Sequence, residues 1–284
     1  MHSADGTRLW WDRATSTRPT TARRPVVVLA APGGRNSAYW PSSFVSRLVS
    51  GGLDVVRFDW RGQGRSDWPP GTFGAEVFVD DLDALLSSAL GVQDTNADDP
   101  PLYLVGVGLG GWVSARVARR LTARQRRPAR LILVGTSGWY SDPSMPGPSE
   151  PTVVALVLRR RGGGPGELGR ALSREVAVEE ARSGPLDGAQ RLDEVRQWID
   201  HGFNPADTHR LSWLAAPPAW DALDGLADAV VVLHGELDPV VPLPHGARVA
   251  DCAGGMLEVL PGVGHHVEET ARGRLAELLL AGPH

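Results

Sequence analysis

Gly106-Val107-Gly108-Leu109-Gly110, set between an apolar run and a helical pattern, is the most specific chemical feature of the chain. In the frame glycine-x-serine-x-glycine, flanking glycines let a strand turn sharply into a helix. The central residue is then held in a strained conformation that exposes its side chain as a nucleophile. The frame is intact here but the side chain is missing, because the central position is Gly108. Glycine-rich turns also cradle dinucleotides, yet that use wants the motif after the first strand and an acidic residue about twenty positions on. This turn follows the third strong strand and runs into an arginine-rich stretch.

Other residues fit for acid–base work stand beyond the ends of other apolar runs. They occur in Pro32-Gly33-Gly34-Arg35, in Asp59-Trp60-Arg61-Gly62-Gln63-Gly64-Arg65-Ser66, in His234-Gly235-Glu236-Leu237-Asp238-Pro239 and in Gly262-Val263-Gly264-His265. Asn36, Ser37 and Trp40 read as loop and packing residues, and Asp59 with Arg61 as braces between loops. Ser137, Ser66 and Cys252 are the side chains left that can act as nucleophiles. None occupies the glycine turn, and Ser137, just beyond a strand, is the best placed. His266 is expected to point away from His265. The histidines form no His-x-x-x-His pairing with nearby carboxylates, so neither a metal nor a cofactor is expected.

These residues need a scaffold that brings strand ends together. Short apolar runs at Pro25–Ala31, Asp54–Phe58, Leu102–Val105, Arg130–Val134, Ala229–Leu233 and Met256–Leu260 read as buried strands. Helical spacing falls between them, at Ser42–Ser50, Ala75–Leu90, Trp112–Arg124, Leu243–Ala250 and Glu268–Leu280. The alternation predicts an α/β fold, a mostly parallel central sheet with helices on both faces. Residues 138–218 break the pattern with a Pro/Gly-rich entry and helical spacing alone. They are expected to form a helical lid over the strands' carboxyl ends, inserted into a core made of 1–137 and 219–284. Trp139, Trp198, Trp213 and His209 in that lid, with Arg35 beside the first turn, are the expected substrate contacts.

The order of these motifs resembles the α/β-hydrolase superfamily, whose triad runs nucleophile, acid, histidine along the chain. Gly33-Gly34-Arg35-Asn36-Ser37-Ala38, Trp40-Pro41, Gly51-Gly52-Leu53, Asp238-Pro239, Pro244-His245-Gly246 and Pro261-Gly262-Val263-Gly264-His265 are similar, more narrowly, to the aclacinomycin methylesterase-like branch. Enzymes of that branch remove a methyl ester from aromatic polyketides of the anthracycline type. The resemblance implies that His265 is the general base, that Asp238 orients it, and that the N–H groups of Leu109 and Gly34 form an oxyanion hole. It also implies that Gly108 is the vacant nucleophile position, which removes the covalent acyl-enzyme step.

Three functions remain open on that basis. The first is a cyclase or lyase of antibiotic biosynthesis, in which His265 takes a proton directly from an aromatic polyketide, as in oxa-Michael closure of a pyran ring. The second is hydrolysis by a His-activated water, and the third is a non-catalytic binder. The net charge of −4 and the lack of a nucleic-acid module argue against nucleic acid as a partner. With a single cysteine, Cys252, no internal disulfide forms, and no apolar run reaches the length of a membrane span. A cytoplasmic bacterial protein is expected, with the oligomeric state left open.

Overall fold

The computed structural model describes residues 1–21, 23–69, 74–91, 99–146, 216–265, 267 and 272–282. Seven strands form one sheet: β1 (Trp11–Ala14), β2 (Val26–Ala30), β3 (Asp54–Phe58), β4 (Leu102–Val107), β5 (Arg130–Val134), β6 (Val230–Gly235) and β7 (Met256–Leu260). Their order is β1-β3-β2-β4-β5-β6-β7, all parallel except the antiparallel pair β1 and β3. The helices are α1 (Ser42–Ser50), α2 (Ala75–Ala84), α3 (Leu109–Ala123), α4 (Leu243–Ala253) and α5 (Arg272–Leu280).

The apolar runs are continuous rather than alternating because the sheet is covered on both sides. Val26, Val28 and Ala30 of β2 face one core with Phe78, Trp112 and Val249 from α2, α3 and α4. Val27 and Leu29 face the other with Phe44, Leu48 and Leu275 from α1 and α5.

The described elements extend or shift several expectations. Helix α3 begins at Leu109 rather than Trp112, because the chain turns into the helix directly after Gly108. α2 ends at Ala84 and continues as a π-helical turn over Leu85–Ala89, where the wider turn accompanies the burial of two consecutive leucines, Leu85 and Leu86. β4 and β6 run two residues further than expected, to Val107 and Gly235. β1 was not foreseen, since Trp-Asp-Arg-Ala carries no strong strand signal. It is held by pairing with β3 and by Asp12, directly opposite Arg57 in register and 2.5 Å from its guanidinium.

The arginine run that followed the glycine turn is neutralised locally. On α3, Arg116, Arg120 and Arg124 lie 2.6, 2.7 and 2.8 Å from Glu76, Asp80 and Asp83 of α2 and its end. Arg126 reaches Asp99 at 2.6 Å. Among the described residues no helix is long and apolar enough to cross a membrane.

Candidate active site

The register aligns the carboxyl ends of the parallel strands, pairing Ala30 with Gly106, Val107 with Val134 and Gly235 with Leu260. The Pro32–Arg35 turn, Gly108, the 135–137 segment, Asp238 and His265 therefore emerge at one edge of the sheet. Between β2 and β4 the chain order reverses, since β3 lies on one side of β2 and β4 on the other. A parallel sheet opens a crevice at such a point. Gly34 and Leu109 stand on its two banks.

The glycine frame is dictated by packing. A Cβ on Gly110 would sit 2.6 Å from the carbonyl oxygens of Ala30 and Ala31, and one on Gly106 would strike the Gly110 backbone, so the α3 entry fits against β2 only without side chains. Gly108 itself adopts φ 51, ψ −117, a region that is costly for side-chain-bearing residues. The end of β5 clamps it, because Gly108 N–H donates to the Val134 carbonyl at 3.0 Å and the Thr136 hydroxyl donates to the Gly108 carbonyl at 2.5 Å. Leu109 is the first residue of α3, so its N–H belongs to the helix's unpaired first turn. Arg35 N–H closes the preceding turn onto the Pro32 carbonyl at 3.1 Å, with Gly34 at φ 82.

Beyond β7, the His265 Nδ1 lies 2.8 Å from the Asp238 Oδ2. An ionised carboxylate only accepts, so Nδ1 carries the proton that faces Asp238. The His265 side chain is 13% exposed while that of Asp238 is fully enclosed. Burial by itself pushes the Asp238 carboxyl up, but the nearby imidazoles of His265 and His234, the hydrogen bond from His265 and the Val241 N–H together hold it below the ordinary carboxylate range. A Cβ built on Gly135 would stand 3.4 Å from both Asp238 Oδ2 and His265 Nδ1. The three-residue segment from Val134 to Thr136 thus touches the Gly108 corner and the His265–Asp238 pair at once.

Other residues singled out from the sequence fall into place around this edge. Asp59 is buried and accepts the N–H of Ser37 at 2.7 Å and of Arg65 at 2.9 Å, tying the turn after β2 to the loop after β3. Arg61 forms a two-pronged ion pair with Asp81, 2.6 Å at each contact, and reaches Asp5 at 2.7 Å, which makes it a brace. Asn36 caps the Ser37–Tyr39 turn through its Oδ1. Ser66 donates to the Asp59 carbonyl, and Cys252 is half-buried on α4. Arg35 is buried and Trp139 half-buried, whereas Trp198, His209, Trp213 and His266 lie outside the described residues. Among the described residues no cluster of histidine, cysteine and carboxylates is fit to hold a metal ion.

Ser137, the best placed of the candidate nucleophiles, is paired with a histidine other than His265. Its hydroxyl lies 2.8 Å from His245 Nδ1, and His245 Nε2 donates to the Pro146 carbonyl at 3.0 Å. This second pair escaped sequence reading because 108 residues separate its members, and only the packing of α4 against the 136–146 segment joins them.

Comparison with known proteins agrees with this architecture. A model of the alpha/beta hydrolase family matches residues 27–278. The rhodomycin D methylesterase DauP of Streptomyces sp. (strain C5) is 24% identical over 277 residues, spanning 90% of this chain and 89% of that protein. DnrP of Streptomyces peucetius, also a rhodomycin D methylesterase, is 25% identical over the same shares of both chains. Among solved structures, the esterase EaEST from Exiguobacterium antarcticum superposes with a TM-score of 0.78 at 18% identity, covering 99% of this chain and 97% of its own. The esterase RhEst1 from Rhodococcus sp. ECU1013 gives 0.78 at 23% identity over 100% and 98%. With the strand order, the glycine corner and the matched family model in agreement, this chain belongs to the α/β-hydrolase family.

Proposed function

We propose that the protein is an enzyme in which His265, oriented by Asp238, acts as a general base on the substrate itself, with Gly108 at the corner where the fold usually presents a nucleophilic serine. The observation that carries this reading is the pairing of a complete His–Asp dyad, 2.8 Å between Nδ1 and Oδ2, with a corner that has the backbone of a nucleophile turn and no side chain. Without a hydroxyl there is no acyl-enzyme. The Nε2 of His265 then meets the small molecule directly.

The reaction best suited to this arrangement is intramolecular addition of a hydroxyl to an enone on an aromatic polyketide. His265 Nε2 takes the hydroxyl proton, the oxygen forms a bond to the β-carbon, and the displaced π pair moves onto the carbonyl oxygen. The N–H groups of Leu109 and Gly34 receive the resulting enolate, and the imidazolium returns its proton to the α-carbon. The product is an isomer of the substrate. Orientation of the two reacting groups within the crevice supplies much of the rate. Trp139 and Arg35, with Trp198, His209 and Trp213 of the 138–218 insertion, are the residues proposed to contact substrate.

A second reading is favoured by the names of the relatives, both methylesterases. In it His265 activates a water beside Gly108, and the water attacks an ester, an epoxide or a quinone methide. Incubation of candidate polyketides in ¹⁸O-labelled water separates the two. An isomer without label is expected for ring closure, and a product with one labelled oxygen establishes hydrolysis. Unchanged turnover by His265→Ala overturns both, and binding of a polyketide without any turnover by the parent leaves a binding protein.

A further inference from the structure

Asp238 is approached by a second imidazole that the reaction above leaves unused. His234 stands near the carboxyl end of β6 with its side chain wholly enclosed, and its Nε2 lies 2.7 Å from the Val241 carbonyl and 3.6 Å from Asp238 Oδ2. A carbonyl accepts only, so Nε2 bears the proton. Nδ1 is buried with no hydrogen-bond partner among the described residues, and the ring packs against the backbone of Gly246. Desolvation pushes the His234 pKa down despite the neighbouring carboxylate, which keeps the ring neutral. His234 is therefore one N–H held in a single direction.

That direction matters because of what the Asp238–Val241 turn does. Asp238 Oδ1 accepts the N–H groups of Val240 and Val241, each at 2.8 Å. With Oδ1 committed, Oδ2 is the oxygen presented to His265. The arrangement lasts only while Val241 keeps its orientation, and it is fixed on both flanks: the Tyr140 hydroxyl holds the carbonyl of the Val240–Val241 peptide at 3.0 Å, and His234 holds the next peptide by the Val241 carbonyl at 2.7 Å.

We infer that His234 is a positioning residue which, by gripping the Val241 carbonyl, keeps Asp238 Oδ2 directed at His265. One carboxylate then faces two histidines of different character, one neutral and fixed and the other the proposed base. The inference rests on the reading of His265 as the base, but its test needs no substrate.

The test is an NMR pH titration of the His265 ring in the parent protein, in His234→Leu and in His234→Gln. Loss of the grip weakens the hold of Asp238 on the imidazolium, so His234→Leu is expected to lower the proton affinity of His265 at least tenfold, about one pH unit. The glutamine amide reaches the same carbonyl, so His234→Gln is expected to restore most of that loss. A His265 titration in folded His234→Leu that matches the parent overturns the inference, as does a glutamine variant that behaves like leucine. If His234→Leu does not fold, the parent protein alone decides. Its His234 must show the neutral, Nε2-protonated tautomer at about pH 7, and an Nδ1-protonated ring overturns the inference. Should His265→Ala turn over substrate unchanged, the proposed function fails while these measurements stand.

Discussion

Two histidines at the same sheet edge pair with oxygen at the same distance in different settings. His265 Nδ1 meets the Asp238 carboxylate at 2.8 Å, and its ring is partly open to solvent. His245 Nδ1 meets the Ser137 hydroxyl, also at 2.8 Å, but its Nε2 is spent on the Pro146 carbonyl and the residue is 1% exposed. One imidazole thus has a charged partner, while the other has two neutral partners and both nitrogens spent on them. A short histidine hydrogen bond is therefore not by itself a catalytic signature, and the character of the partner separates the proposed base from a brace. The brace has its own task, since Ser137, His245 and the stacked Tyr140 ring anchor the 136–146 segment to α4.

The sharpest way to break this contrast is to remove each side of it. His265→Ala is expected to lower turnover by about 10²- to 10⁴-fold, the usual worth of a positioned general base. Ser137→Ala is expected to leave turnover within a few-fold of the parent. It should instead cost about 1–3 kcal/mol in urea unfolding, because His245 Nδ1 and the Trp139 N–H lose their buried partner. A large loss of turnover with unchanged stability in Ser137→Ala would reverse the two roles.

Placing a side chain at Gly108 tests the other half of the proposed site. Gly108→Ser places a hydroxyl at φ 51, ψ −117 and should cost about 1–3 kcal/mol in backbone strain. With the dyad beside it, the variant is expected to show a burst of acyl-enzyme on an activated ester that the parent lacks. Absence of any burst in a folded variant would mean that the His265 lone pair does not reach the corner.

A smaller effect lies in the pH dependence of stability. The folded His234 pKa is depressed, so below the unfolded value of about 6.5 the unfolded chain binds a proton that the native ring refuses. Stability then falls on acidification from that value down to the folded one. Asp238, held below the ordinary carboxylate range, contributes in the other window: its share is complete above about pH 4 and is lost as pH falls through its folded value. In His234→Gln the difference in melting temperature between neutral and mildly acidic buffer should narrow. The smallest effect is expected at the surface, where Arg120→Ala should change unfolding free energy by no more than about 1 kcal/mol despite its ion pairs with Asp80 and Glu76.

Much of the scaffold could be read before any coordinates. Six of seven strands were legible because burial on both faces leaves uninterrupted apolar runs, as in Val26–Ala30. β1 was not, because an edge strand stabilised by pairing and by Asp12–Arg57 needs no apolar pattern of its own. Within the site, the positions of Gly108, Asp238 and His265 beyond strand ends followed from chain order. The contact of His234 did not, because a histidine just past a strand end has no readable direction until its N–H is seen to point at Val241.

By itself the amino-acid order determined a parallel α/β scaffold, a glycine at its sharpest turn, and a carboxylate and an imidazole at the ends of two later strands. Local pattern suffices for that, since side-chain periodicity and turn chemistry act over a few residues. The tertiary structure alone decided which histidine meets which oxygen. Asp238 and His265 are matched only when β6 pairs with β7, Ser137 and His245 only when α4 packs on the 136–146 segment, and His234 and the Val241 carbonyl only through the turn after β6; tautomer and orientation follow from those contacts rather than from residue type.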